Sequence, residues 1–214
     1  MEKPLKQFNC AWLSWLNRLV CRIMFRVTGE QPSPLPDKGP VLLVCDHSSL
    51  GDPLVLLATA GRHISFLMAQ EIYASCFQWA YEAMDTIPVR RGRQDINAVR
   101  GMLQRLRQNQ VVGLFPEGGL DNFRMEEGRP GIGYLALKTG APIVPASVVW
   151  AKERSVTSII RTLLIPCRAM VRYGKPLIFQ KELKPDRNQI ERVTSQVMSE
   201  IKQLREEIMV NIDK

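Results

Sequence analysis

The sequence predicts a single α/β domain with a largely parallel central sheet flanked by helices, and an amphipathic helix at its N-terminal end. Short apolar runs alternate with stretches of helical periodicity, which is the pattern of parallel sheets. The length of 214 residues suits one domain with a sizeable core. A composition of 45% apolar and 23% charged residues is that of a globular protein, which excludes a disordered chain.

The first predicted element is an amphipathic helix over residues 5–27. Its apolar side chains recur at three- and four-residue steps, with basic side chains and no acidic ones among them. Two tryptophans, Trp12 and Trp15, lie beside arginines, a pattern typical of helices at a membrane interface. We therefore expect residues 1–30 to form a membrane-interface helix and residues 31–214 to form the main domain. The alternative is a helix packed on the core with solvated arginines.

Strands and helices then alternate, after a proline-rich break at residues 31–40. Buried apolar runs predict strands and helical spacing predicts the helices between them. The expected strands are Val41–Cys45, Ile64–Ala69, Thr86–Val89, Val111–Phe115, Ile143–Val149 and Ala169–Tyr173. The expected helices are Pro53–Ala60, Glu71–Ala83, Asp95–Arg107, Gly131–Thr139 and a final helix with an apolar stripe from Ile190 to Ile208, which we expect to cover the core.

The charge is uneven along the chain. The formal net charge is +8, and residues Lys181 to Lys214 contain seven basic and seven acidic residues, so the whole excess lies in residues 1–180. A basic surface suits phosphate-bearing partners such as anionic lipid, nucleic acid or a phosphorylated cofactor. No apolar run is long enough to span a bilayer, and five scattered cysteines fit a reducing compartment. These features lead us to expect a peripheral protein on the cytoplasmic face of a membrane.

The strongest chemical signal follows the first strand, in Asp46-His47-Ser48-Ser49-Leu50-Gly51-Asp52. Catalytic groups in α/β domains gather where strands end. A histidine that accepts a proton near neutral pH needs a partner that fixes its tautomer, and Asp52 lies one turn away. The alternative is that Asp52 simply N-caps the helix that begins at Pro53.

Three further segments also follow or begin strands. Phe115-Pro116-Glu117-Gly118-Gly119 places a glutamate in a tight loop whose backbone N–H groups can face a ligand oxygen. The arginines after Ile87-Pro88-Val89 could hold a phosphate, although a solvated charge run is the better explanation of this segment taken alone. Ala141-Pro142-Ile143-Val144-Pro145 is the start of a predicted strand flanked by two prolines, and taken alone it indicates little about function.

Taken in order, these four segments resemble the blocks of the glycerolipid acyltransferase family, which includes the lysophosphatidic acid acyltransferases. The resemblance runs from about Val41 to Val149 and implies the family's fold. It implies that His47 is the catalytic histidine and Asp52 the aspartate that orients it. It assigns acceptor binding to the second and third blocks, and the matching residues of blocks two to four are Arg91, Phe115, Pro116, Glu117, Gly118 and Pro145.

The chain departs from the family pattern twice. The usual asparagine before the histidine is Asp46, and the Thr-Arg that normally follows Phe-Pro-Glu-Gly is Gly119-Leu120. The second departure removes a cation from the expected acceptor site, and Arg124 or Arg129 are candidates to replace it.

The implied activity is transfer of a fatty acyl group from acyl-CoA or acyl carrier protein to a hydroxyl of a lysophospholipid. The acceptor that the resemblance favours is 1-acylglycerol-3-phosphate. We expect no metal, no cofactor and no nucleic-acid partner, and an anionic membrane as the working surface. Two alternatives stay open. The acceptor is a phosphate-free lyso-lipid, such as a lyso-aminolipid, or the chain is a non-catalytic basic module that binds membranes.

Overall fold

The computed structural model describes residues 11–29, 35–74, 78–90, 95–116, 128–151 and 166–212. Its strands are β1 (Thr28–Gly29), β2 (Val41–Cys45), β3 (Ile64–Ala69), β4 (Ile87–Val89), β5 (Val111–Leu114), β6 (Ile143–Trp150) and β7 (Ala169–Tyr173). Its helices are α1 (Ala11–Ile23), α2 (Asp52–Thr59), α3 (Gln70–Tyr73), α4 (Gln78–Ala83), α5 (Ile96–Arg107), α6 (Gly131–Thr139) and α7 (Arg187–Ile212).

Within the described residues, seven strands form one sheet in the order β1-β7-β6-β2-β5-β3-β4. Every neighbouring pair is parallel except β6 and β7. The predicted class, an α/β domain with a largely parallel central sheet and flanking helices, is confirmed. β2 lies near the middle, and all five of its residues are buried because both faces of the sheet are covered.

Two apolar clusters cover the two faces of this sheet. Val41 and Leu43 of β2 point into a cluster that includes residues of α1 and α2. Leu42 and Val44 point to the other side, into a cluster built with α5, α6 and α7. The period of two in a strand explains this division, and it makes β2 the centre of both cores.

Two predicted helices differ from the structure. The first was expected to run to residue 27, but α1 ends at Ile23, and Arg26 adopts a left-handed backbone conformation with φ 39° that a helix does not accommodate. The helix expected over Glu71–Ala83 is wrong as one element, because α3 ends at Tyr73 and α4 begins at Gln78. Residues 5–10 of the first prediction lie outside the described residues.

The C-terminal helix covers the core, as its apolar stripe predicts. Val197 and Ile201 are fully buried, and Val193, Leu204 and Ile208 are nearly so. α7 packs on β6, β7 and α6. It therefore helps to close one face of the sheet beside α6.

Candidate active site

The sheet register brings the ends of three strands together. Val44 of β2 pairs with Leu114 of β5, so the residues that follow both strands emerge side by side. On the other side of β2, Cys45 pairs with Ala146, and β6 continues for four residues beyond that point to Trp150. His47, Phe115 and Trp150 consequently gather at one edge of the sheet, where the carboxyl ends of its parallel strands lie.

His47 and Asp52 are in direct contact. Nδ1 of His47 lies 3.0 Å from Oδ2 of Asp52, whose side chain is fully buried. Because an ionised carboxylate only accepts hydrogen bonds, Nδ1 carries the proton and Nε2 carries the lone pair. This is the tautomer that a general base requires.

Asp52 is held by more groups than the histidine alone. Its Oδ2 also accepts hydrogen bonds from the backbone N–H groups of Ser48 and Ser49, each at 2.7 Å. Its Oδ1 accepts a hydrogen bond from the indole Nε1 of Trp150, also at 2.7 Å. Four donors therefore fix the carboxylate and the loop that carries His47.

The alternative role of Asp52 as a helix N-cap is wrong, because Gly51 occupies the cap position and its helix shows no side-chain cap bond. The backbone N–H groups of Ser48 and Ser49 donate to Asp52 and do not face the cavity as donors for a substrate oxygen.

The ring of Phe115 stacks on the imidazole of His47. The ring centroids are 4.0 Å apart and the planes differ by 20°. Phe66 of β3 also stacks on Phe115, with the ring centroids 5.5 Å apart. Phe66 fits there because its neighbour across the register is Gly113, where any Cβ would overlap the phenylalanine ring. The resemblance assigns Phe115 to acceptor binding, and the structure places its ring against the imidazole.

A cavity of about 210 Å³ lies beside His47. Pro116 and Arg129 line it, and the N–H of Arg129 donates to the carbonyl of Pro116 at 3.2 Å. Most of the remaining wall is apolar and comes from Leu67, Ala69, Val89, Met102, Leu114, Phe115, Ile132 and Leu135. A mainly apolar cavity that is also lined by a histidine and an arginine suits a molecule with a hydrocarbon chain and an anionic or polar head.

A larger cavity, of about 360 Å³, lies between α1 and α2 and contains His63 but not His47. His63 is exposed and precedes β3, at the opposite edge of the sheet. We assign the chemistry to the smaller cavity because it contains the paired histidine.

The remaining predicted site residues are placed as follows. Pro145 is buried within β6, where its carbonyl accepts a hydrogen bond from the N–H of Gly174 at 2.8 Å, and it is not among the residues that line the cavity. Arg91, Glu117 and Gly118 lie outside the described residues, as do Gly119, Leu120 and Arg124. The structure thus brings together His47, Asp52, Phe115 and Pro116, and of the two candidate replacement cations it places Arg129 at the same cavity.

Sequence reasoning missed Trp150, and the pattern offered only a weak signal for it. The predicted strand ended at Val149, one residue short. Trp150 lies 98 residues from Asp52 along the chain, so no local spacing joins the two. Knowledge that β6 is the neighbour of β2 would have been needed to place the indole beside the carboxylate.

Comparisons with known proteins identify the family of the chain. The sequence model of the family described as Acyltransferase matches residues 25–149. A relative from Mycoplasma genitalium, described as a probable 1-acyl-sn-glycerol-3-phosphate acyltransferase, is 32% identical over 121 residues. That match covers 52% of this chain and 45% of the relative, so the chain spans about half the length of that protein.

A solved structure gives the fold. The chain is similar to the 1-acyl-sn-glycerophosphate acyltransferase PlsC from Thermotoga maritima, with a TM-score of 0.59 and 19% sequence identity. The match covers 90% of this chain and 79% of the other. At this identity the similarity supports the architecture described above.

Proposed function

The chain belongs to the acyltransferase family, and from this premise we propose that it transfers a fatty acyl group from an acyl thioester to the hydroxyl of a lysophospholipid. The observation that carries the proposal is the His47–Asp52 pair, with 3.0 Å between Nδ1 and Oδ2, beside an apolar cavity. The donor is acyl-CoA or acyl carrier protein, and the first acceptor to test is 1-acylglycerol-3-phosphate.

In the proposed mechanism His47 acts as a general base. Nε2 takes the proton of the acceptor hydroxyl while its oxygen attacks the thioester carbonyl carbon. Asp52 stabilises the imidazolium that forms, as in a catalytic triad whose nucleophile is the substrate itself. The carbon–sulfur bond then breaks, the imidazolium returns the proton to the departing thiolate, and an ester and a free thiol are released.

The acceptor is proposed from the charge at the cavity. Arg129 lies at the same cavity as His47 and can pair with a phosphate through two hydrogen bonds. This position favours a phosphate-bearing acceptor although Gly119-Leu120 replaces the Thr-Arg of the resemblance. The phosphate-free lyso-lipid stays the second candidate, supported by that replacement.

We also propose that the protein works at an anionic membrane surface on the cytoplasmic side. Five large apolar side chains of α1 are exposed on one face, namely Trp12, Trp15, Leu16, Leu19 and Ile23. Arg18 and Arg22 are exposed beside them. In the part of the chain that the structure describes, no helix has both the length and the apolar character to cross a bilayer.

The activity is tested with two histidine variants. We expect His47→Ala to reduce kcat by about 10²–10⁴, the usual contribution of a general base. His63→Ala is the matched control and keeps wild-type turnover, because His63 lies at the other edge of the sheet. Acyl transfer is measured by mass spectrometry of products from a panel of lyso-lipids and both thioester donors. Full turnover by His47→Ala would exclude this mechanism. If the wild-type chain gave no product with any acceptor, the result would favour the non-catalytic membrane-binding module.

Arg129→Gln separates the two acceptors. We expect KM for 1-acylglycerol-3-phosphate to rise about tenfold, since a charge-assisted hydrogen bond contributes roughly 1.5 kcal/mol or more. KM for a phosphate-free lyso-lipid should not change. Equal effects on both acceptors would contradict phosphate recognition by Arg129.

A further inference from the structure

The carboxylate of Asp46 is buried directly before the candidate catalytic histidine. Its side chain is fully buried. Oδ2 accepts hydrogen bonds from Arg205 at 2.6 Å and from the hydroxyl of Ser147 at 3.2 Å. Oδ1 accepts from the N–H of Val148 at 3.2 Å. Asp46 is thus tied to β6 and to α7 at the point where β2 ends.

The cation of this pair comes from the far end of the chain. Arg205 lies on α7, 159 residues after Asp46, and its side chain is 19% exposed. Breaking a buried pair by removing one partner is strongly unfavourable, because the other charge stays buried. The contact therefore couples the C-terminal helix to the loop of His47.

The charged groups of the His47 loop and of the cavity beside it indicate the role of the Asp46–Arg205 pair. In the described part of the chain, Asp52 pairs with His47, Asp46 pairs with Arg205, and Arg129 is a lining residue of the cavity beside His47. Burial raises the pKa of Asp46, the guanidinium of Arg205 opposes that rise, and the nearby charge of Asp52 adds to it. Arg205 thus balances Asp46, while Asp52 pairs with the imidazole.

We propose that Arg205 is a positioning residue for acyl transfer, which through Asp46 fixes the backbone before His47 and neutralises the carboxylate of the residue that directly precedes the histidine. The inference rests on the proposed function of His47. It also accounts for the departure from the family pattern, because the neutral asparagine usual at this position needs no cation and Asp46 does.

The test is a double-mutant cycle with Asp46→Asn, Arg205→Met and the double variant. Asp46→Asn removes a negative charge from the residue directly before His47 and leaves the positive charge of Arg205 in place, which disfavours the imidazolium. When kcat/KM is plotted against pH, the acid limb of the curve should therefore move to lower pH by about half a unit. In the double variant both charges are absent, and the limb should return to its wild-type position.

Stability supplies the second readout. Arg205→Met should lower Tm by about 10 °C, and the double variant should recover most of this loss. Without the guanidinium the pKa of Asp46 rises further, so the folded state binds a proton that the unfolded state releases. The free energy of unfolding then falls as pH rises from the ordinary aspartate value toward the raised one, and the Tm deficit is larger at pH 8 than at pH 5.

The control is Arg187→Met on the same helix, where Arg187 forms an exposed pair with Glu191 at 2.7 Å. This substitution should change neither the acid limb nor Tm. Arg205→Lys keeps the charge and should keep the wild-type acid limb. An unmoved limb in Asp46→Asn, or a limb that stays displaced in the double variant, would overturn the proposal even if Arg205→Met does not fold. Failure of the proposed function is a different result: His47→Ala would then retain turnover.

Discussion

Asp52 accepts four hydrogen bonds, and only one of them comes from the histidine. The two backbone donors fix the loop, and the indole of Trp150 holds the other carboxylate oxygen. A carboxylate held on both oxygens keeps a single orientation, so the imidazole that it binds is preorganised. Trp150 is itself supported by an edge-to-face contact with Phe25, whose ring centroid lies 5.0 Å away.

Trp150→Phe tests this arrangement at the scale of one hydrogen bond. Phenylalanine keeps most of the ring and removes the N–H that donates to Asp52. We expect kcat to fall about tenfold, equivalent to roughly 1.4 kcal/mol, with KM little changed. Trp79→Phe is the control, because Trp79 is 59% exposed on α4. Wild-type kcat in Trp150→Phe would show that the indole does not position Asp52.

The sequence could predict only part of the site, for a reason visible in these residues. His47 and Asp52 are five positions apart, so a turn alone brings them together. Trp150 and Arg205 join the same site from 98 and 159 residues away, through strand order and helix packing. Spacing within a sequence carries no information about such contacts, because they depend on which strand becomes the neighbour of β2.

The elements themselves were largely predictable. Val41–Cys45, Ile64–Ala69, Gly131–Thr139 and Ala169–Tyr173 have the predicted bounds, since buried strands and amphipathic helices show their period in the sequence. β1 was missed because two residues, Thr28 and Gly29, show no periodicity, and it forms only by pairing with β7. Helix ends depended on backbone conformations such as that of Arg26, which composition does not reveal.

α1 provides the prediction at the scale of an element. Cys21 is buried and Asn17 donates to the carbonyl of Leu54 at 2.9 Å, so one face of the helix is fixed to the domain. The opposite face exposes Trp12 and Trp15, by 57% and 64%. Replacing both tryptophans by alanine should weaken binding to phosphatidylglycerol vesicles about tenfold or more, measured by co-sedimentation, because aromatic side chains no longer enter the interface.

Two controls make the vesicle experiment specific. Trp79→Ala removes an exposed tryptophan outside α1 and should bind as the wild type does. Raising the salt concentration should weaken binding of every variant, because the exposed arginines of α1 attract anionic lipid. If the double tryptophan variant sediments with vesicles as fully as the wild type, α1 is a core-packing helix and the alternative interpretation holds.

At the scale of the whole molecule, the position of α7 links stability to the site. One face of the sheet is closed by α5, α6 and α7, and the same α7 sends Arg205 to the loop of His47. The close approach of α6 to α7 depends on Gly133, where an added Cβ would overlap the backbone carbonyl oxygen of Ile190 and lie 2.9 Å from Oγ1 of Thr194. A carbonyl within a helix cannot move away without moving the helix.

Gly133→Ala should therefore displace α7 and destabilise the whole domain. Overpacking costs about 1–3 kcal/mol, of which the better helix propensity of alanine offsets about 1, so we expect Tm to fall by about 5 °C. Gly101→Ala in α5 is the matched control. Its new Cβ would meet only side-chain atoms at 3.4 and 3.5 Å, so propensity should dominate and Tm should rise slightly. Calorimetry measures the Tm of both variants. A Tm for Gly133→Ala at or above the wild-type value would contradict the close contact between α6 and α7, the helix that carries Arg205 to Asp46.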